Sequence, residues 1–383
     1  MRDKIHFGFL FAGLATLVSA SFQDNIRGPL LPVLCEQLGL PFSYGGLFLT
    51  IGNIAAVIST LAMGRALLRY SEKKVTIYIC IFSAFSGIAA PFVDSLTGLL
   101  LLGLVLGASV ALMGSICNIL TLKGSPVHLR GRLLSIQQVM YGVGSFLGPM
   151  SFAWFYTAEY PWWTSISIVS ALNVLIGLAV ANVVPEEAPE PHEAKDKKSG
   201  FSWSILVPIG LFSIYVSGEV ITSMWMPTYF VEVSGFSKVE ASKMTSYFFL
   251  VISGSRFLSF LFIRPHWERA VMVISMLTGI TFIVLGLTVL PSALPFAGLL
   301  GPFFPLFMAS VSHAYPKMWK SLTIWIFASI QSSLAVIHLC IGSLTDLIGI
   351  EKAFFLSPVL IAISFVMLLI FFKQHNTEHH HPA

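Results

Sequence analysis

A few ionisable side chains set inside long apolar runs carry most of the chemical potential of this chain. Asp24 and Arg27 stand three residues apart in one such run, on one helix face, where they can pair internally. Glu219 lies in another run with no basic residue nearby in sequence. An ionised group in hydrocarbon costs about 2.5–3.5 kcal/mol on insertion scales, so each needs a reason to be there. A carboxylate that loses and regains a proton as its surroundings alternate between wet and dry can couple proton movement to a transport cycle. Asp24 and Glu219 are therefore the candidate proton-coupling residues. The structural alternative is an internal ion pair for Asp24–Arg27 and a packing hydrogen bond for Glu219.

Arg256 sits two turns inside the end of its run, placed to snorkel, to clamp an anion, or to pair with Glu219. His338 follows Gln331 by seven residues, so the two share a helix face. Gln137, Tyr141, Gly144 and Gly148 recur at intervals of four, three and four, with Gln138 adjacent. Glycines in that pattern admit a second helix, and the polar residues above them can face a cavity. With Asn25, Arg27, Asn118 and Trp225 these form the candidate solute-binding set, and Asn53 and Trp325 extend it. Amide and aromatic groups together suit a sugar-sized or amino-acid-sized solute. Gly103, Gly107 and Gly114 read as a close-packing stripe, and Gly301-Pro302 with Pro305 as a kink.

No clustered nucleophile and base marks an enzyme, and no cofactor motif is present. Asp24, Glu219 and His338 are too scattered in sequence to establish metal ligation. The four cysteines (Cys35, Cys80, Cys117, Cys340) are far apart in or beside apolar runs and read as small buried hydrophobes.

The elements that must hold these residues are membrane helices. Of 383 residues 56% are hydrophobic and 10% charged, far below the roughly 25% charged residues of a soluble domain. The runs are continuous and about 20 residues or longer, as helices crossing a hydrocarbon core require. Twelve spans are expected, near 7–34, 43–63, 75–91, 96–120, 133–157, 162–184, 203–230, 240–263, 270–290, 293–314, 321–344 and 353–372. The first is too long for a signal-peptide core. The polar segment at 185–200 is a solvated linker. It divides the chain into an N-terminal six-helix bundle (1–184) and a C-terminal one (201–375), with a short tail at 376–383. The tail's His379, His380 and His381 carry no part of the argument.

With the N-terminus in the cytoplasm, seventeen of the 22 Lys and Arg fall in cytoplasmic segments and three outside. That asymmetry places both termini and the linker on the cytoplasmic side of an inner membrane. The basic residues form no patch for nucleic acid, so the expected partners are a small solute, protons and lipid around a monomer. The halves also echo each other: Asp24 and Pro32 map onto Glu219 and Pro227 by a shift of 195, and Gly39 onto Gly235 by 196. Parallel six-helix repeats around a midplane site are a recurring transporter design.

In topology and linker the whole chain resembles the major facilitator superfamily. Gly64 to Lys74 (GRALLRYSEKK) is similar to that family's loop motif after span 2, with Leu68 where an acid is usual and Ser71 where glycine is. Gly144-x-x-x-Gly148-Pro149 is similar to the span 5 signature of its proton-driven drug exporters, although span 4 lacks their basic residue. Phe22 to Pro32 (FQDNIRGPLLP) resembles the fucose permease group of sugar–proton symporters, which have an acid in span 1 ahead of Leu-Leu-Pro. That resemblance implies an all-α major facilitator fold, alternating access, and Asp24 as proton carrier. The group's second acid, in span 4, has no counterpart among residues 96–120. The alternatives are proton-driven export of organic anions or drugs and, outside transport, a membrane sensor or enzyme.

Overall fold

A chain in hydrocarbon must satisfy every backbone N–H and C=O within itself, so the apolar runs fold as helices. The structure, a computed structural model, describes residues 5–187, 205–316 and 318–377. The helices of the first half are α1 (Phe7–Leu38), α2 (Phe42–Leu67), α3 (Glu72–Phe92), α4 (Leu96–Gly124), α5 (Arg130–Thr157) and α6 (Thr164–Val183). Those of the second half are α7 (Leu206–Glu232), α8 (Lys238–Phe262), α9 (Glu268–Thr288), α10 (Pro291–Ala314), α11 (Trp319–Ile348) and α12 (Leu356–Thr377). Among the described residues eleven helices are long and apolar enough to cross a membrane. The twelfth, α5, has the length at 28 residues, but Arg130, Arg132, Gln137 and Gln138 dilute its first half. It packs between α1 and α8, where protein rather than lipid surrounds part of its surface. Most of the 185–200 linker, from residue 188, and the tail from 378 lie outside the described residues.

The helices form two six-helix bundles, α1–α6 and α7–α12. In the first, α1 packs on α4 and α5, α2 on α4, and α3 on α6; in the second, α7 packs on α11 and α12. The bundles meet chiefly through α2 against α11 and α5 against α8. A shift of six helices exchanges these two pairs, as a parallel repeat predicts. The small repeat in the sequence also has a backbone counterpart. Gly39 (φ 61°) and Gly235 (φ 69°) are both left-handed, a conformation glycine adopts without strain, and each lies just beyond the first helix of its bundle.

Prolines set the irregularities. Proline lacks the N–H that would bond the carbonyl four residues earlier. Pro29 thus frees the carbonyl of Asn25, and α1 is interrupted at Ile26, between Asp24 and Arg27. In α10 the residues Pro291–Leu300 form a tight 3-10 helix, followed after Gly301-Pro302 by an α-helix over Phe303–Ala314. The kink expected at Gly301-Pro302 is therefore a change of helix type.

Buried polar networks tie the helices within each bundle. In the first, Gln23 Nε2 donates to Ser83 at 3.0 Å and Asn173 Nδ2 to the same hydroxyl at 2.8 Å, joining α1, α3 and α6. In the second, Ser213–Ser329 (2.8 Å) and Ser217–Ser333 (2.6 Å) link α7 to α11. Gly107 lies so close to Gly52 that a side chain there would strike backbone, and Gly103 packs on Phe48. Gly114 has open space instead, so the expected stripe holds for two of its three glycines.

Polar contacts between the bundles gather at the end away from the termini. Asp346 accepts the backbone N–H groups of Phe42 (2.7 Å) and Ser43 (2.8 Å), so an α11 carboxylate caps the N-terminus of α2. Lys238 pairs with Glu36 at 2.5 Å, and Ser242 donates to the carbonyl of Pro149 at 2.6 Å. At the opposite end the described ion pairs stay within the first bundle: Lys123 with Glu72 (2.8 Å) and Glu187 (3.2 Å), and Lys74 with Glu186 (2.8 Å).

Candidate functional site

Between the bundles lies a cavity of about 110 Å³, several times the roughly 10–15 Å³ that admits one water. The first bundle contributes Asp24, Asn25 and Arg27 from α1, Asn53 from α2 and Tyr141 from α5. The second contributes Glu219 and Ser223 from α7, Phe249 from α8, and Gln331 and His338 from α11. Eight of the fourteen residues named from sequence thus meet at one place. The other six do not line it.

On the first wall, Arg27 is 7% exposed. Its Nη2 pairs with Asp24 Oδ1, and its Nε donates to the Asp24 carbonyl at 3.1 Å. The pair belongs to one helix, at the interruption that Pro29 imposes. Asn25 points its amide the other way, donating to the Ser21 carbonyl (2.8 Å) and the Ser145 hydroxyl (2.9 Å).

On the second wall, Glu219 Oε1 accepts from Arg256 Nη2 at 3.3 Å. Of the three expectations for Arg256, pairing with Glu219 is the one observed. Its Nε donates to the Gly301 carbonyl at 3.1 Å, and its guanidinium lies 5.5 Å from the Phe304 ring centroid. The sequence explains why that carbonyl is available: its helical donor would be the N–H of residue 305, which is proline. The Gly298 carbonyl accepts the Gly301 N–H at 3.0 Å, closing the 3-10 segment, and also accepts from Ser255 at 3.0 Å. The Tyr215 hydroxyl donates to the Leu300 carbonyl at 3.1 Å. Glu219 Oε2 is left without a hydrogen-bond partner, as are Asn53 Nδ2 and Gln331 Oε1, which also line the cavity.

Trp225, fully buried, stands behind the cavity and donates its indole N–H to His338 Nδ1 at 3.3 Å. Asn118 and Gln137 are nearer the termini, where Gln137 Nε2 donates to Asn118 Oδ1 (2.8 Å) and lies 3.1 Å from Cys117 Sγ. They brace α4 against α5. Gln138 is exposed, turned away by one residue's rotation on α5. Gly144 and Gly148, by contrast, lie against the backbone of α1, as their spacing predicts. Trp325 is 60% exposed and stands outside the cavity lining. Among the described residues no three His, Cys, Asp or Glu side chains gather as a metal site would need. Ser223, Phe249 and the Tyr215–Gly301–Phe304 setting of Arg256 were not visible in the sequence reading. Pro305 was the available signal for the last.

The cavity is lined by residues from both bundles, and a family model, that of the Major Facilitator Superfamily, matches residues 13–337. The chain belongs to the Major Facilitator Superfamily. It is a multi-pass membrane protein of that transporter family. Among solved structures, a bacterial homologue of the human lysosomal transporter Spinster, inward-facing and unoccupied, superimposes with TM-score 0.73 at 13% identity over 100% of both chains. The nucleoside transporter NupG, as a single-site variant, gives 0.71 at 15% identity over 94% of this chain and 99% of that one. The human organic anion transporter MFSD10 gives 0.68 at 16% over 96% and 100%. These likenesses carry the fold. A curated relative, YwtG of Bacillus subtilis (strain 168), whose name assigns it provisionally to metabolite transport, is 26% identical over 171 residues. That match spans 44% of this chain and 37% of the relative's length.

Proposed function

We propose that this major facilitator protein is a secondary active transporter that carries a small polar solute across the inner membrane by alternating access, coupled to protons through Asp24, Glu219 or both. The observation that carries the proposal is the cavity: it lies between two bundles, takes residues from both, and has a lining acid paired with an arginine on each wall, Arg256 standing behind Glu219. The basic-residue asymmetry supports an orientation with the termini in the cytoplasm. On that orientation the contacts at Asp346, Lys238 and Ser242 close the outer side, and the described conformation faces inward.

Protonation of a cavity carboxylate would remove one charge from a wall that must pass close to its opposite number when the bundles rock. Deprotonation on the cytoplasmic side would then accompany solute release. The rival reading, export of organic anions, wants an arginine free to meet the anion. Arg27 and Arg256 are each held by an acid, which favours the first reading.

The test is purified protein in liposomes loaded with a pH-sensitive dye and challenged with sugars, nucleosides, amino acids and organic anions. Acidification driven by one solute class, lost in Asp24→Asn or Glu219→Gln, is expected. Uphill transport that both variants perform normally would refute the coupling.

A further inference from the structure

The polar groups around the cavity carry information about what it holds, taking the proposed solute site as given. We propose that the cavity selects an uncharged, polyhydroxylated solute, with His338 as a fixed hydrogen-bond donor and Glu219 and Gln331 as acceptors.

Charge balance is the first argument. The ionised residues at the cavity or directly behind its lining are two acids and two arginines, and each acid holds one arginine. With both acids ionised, a charged solute would enter a space among membrane helices with no unpaired counter-ion to meet it, and a buried unpaired charge is strongly disfavoured. A neutral solute leaves the balance intact.

The second argument is the tautomer of His338. An indole N–H can only donate, so the Trp225 bond at 3.3 Å requires a lone pair on His338 Nδ1. A neutral imidazole with a bare Nδ1 carries its proton on Nε2. His338 lines the cavity and is otherwise 3% exposed, so it offers an N–H donor rather than an acceptor. Trp225 is fully buried behind it, which keeps that tautomer fixed.

The third argument is the set of unpartnered atoms. Asn53, itself 6% exposed, lines the cavity with a free Nδ2 donor, while Glu219 Oε2 and Gln331 Oε1 are free acceptors. Donors and acceptors are therefore mixed within one small space. A carboxylate can only accept and would confront Glu219 and Gln331; an ammonium can only donate and would confront Asn53 and His338. Hydroxyls do both, so a polyol satisfies the whole set.

The experiment is equilibrium binding to the purified full-length protein in detergent, using matched probes. Glucose, galactose, mannitol and uridine are compared with glucuronate, galacturonate and glucosamine. At least one neutral probe should bind, with its charged counterpart at least about tenfold weaker, because a site built to hydrogen-bond one group rejects its replacement. Trp225→Phe releases the tautomer and should weaken the neutral probe about three- to tenfold, the scale of one hydrogen bond. It should leave the discrimination against charge in place. A charged member that binds as tightly as its neutral partner would overturn the proposal. So would silence from every neutral probe with folded protein, or wild-type affinity in both Trp225→Phe and His338→Gln. Failure of the transport reading looks different: neutral probes would bind in detergent yet drive no flux in liposomes.

Discussion

The two walls of the cavity solve one problem in different ways. On the first, the acid and its arginine belong to one helix, three residues apart, at the interruption set by Pro29. On the second, Glu219 and Arg256 come from α7 and α8, and Arg256 is held in place by the Gly301 carbonyl of α10 and by Phe304. The first pair moves as a unit with α1, and its Asp24 side chain is 25% exposed and open to hydration. The second depends on three helices keeping register, with an acid side chain 15% exposed. A local pair tolerates helix motion. A pair assembled from three helices senses it.

Removing an arginine should break this comparison most visibly. Arg256→Ala strands the Glu219 carboxylate and is expected to cost about 3–5 kcal/mol of stability, read as a fall in Tm in detergent. Arg27→Ala should cost less, because Asp24 can take up water. Equal losses would mean that the two walls do not differ in this way. Arg256→Lys should recover only part, since an ammonium has no fork to reach both Glu219 and Gly301.

Next in size is the cross-bundle cap. Asp346→Ala removes a carboxylate that accepts two α2 N–H groups, worth about 1.5–3 kcal/mol for a charged acceptor. Spin labels at Leu40 and Leu347 should report a longer distance between α2 and α11 at that end. An unchanged distance would assign the closure to packing alone. A smaller effect, about 1 kcal/mol, is expected from Pro305→Ala, which returns an N–H to the Gly301 carbonyl and competes with Arg256.

The smallest effect should come from the linker's first residues. Glu186, exposed beside Lys74, has its carboxyl held below the ordinary range by that lysine's hydrogen bond and charge. Its contribution is present above the ordinary glutamate pKa and is lost as pH falls through the depressed folded value. Glu186→Gln should therefore lower the melting temperature at most slightly near neutral pH, as for other exposed pairs, and not at all in acid. A clear shift there would make the linker a structural clamp.

The fold was legible because membrane helices announce themselves by length and apolarity, and the twelve spans fall close to the observed helices. Where composition failed, at α5, polar residues had diluted the signal in a helix that packs against protein. Within the site, Asp24, Arg27, Glu219, Gln331 and His338 were readable as polar residues that hydrocarbon would otherwise exclude. Asn118, Gln137 and Gln138 stand off the cavity lining because a helix face read from spacing has no fixed azimuth: one residue's rotation moves a side chain from cavity to neighbouring helix or surface. Trp225 and Arg256 stand one layer back, bonded to His338 and Glu219, and such contacts between distant segments leave no local trace. The freed Gly301 carbonyl of α10 was an exception, since Pro305, four residues later, marks it.

The most direct test of proton coupling at the cavity separates uphill transport from exchange. Wild-type, Asp24→Asn and Glu219→Gln proteins would be reconstituted in liposomes, and solute accumulation driven by a pH gradient compared with solute counterflow at equal pH. Coupling through these acids predicts that at least one variant loses accumulation by an order of magnitude or more while counterflow persists, since only the proton-carrying step is removed. Accumulation at the wild-type level in both variants would contradict it.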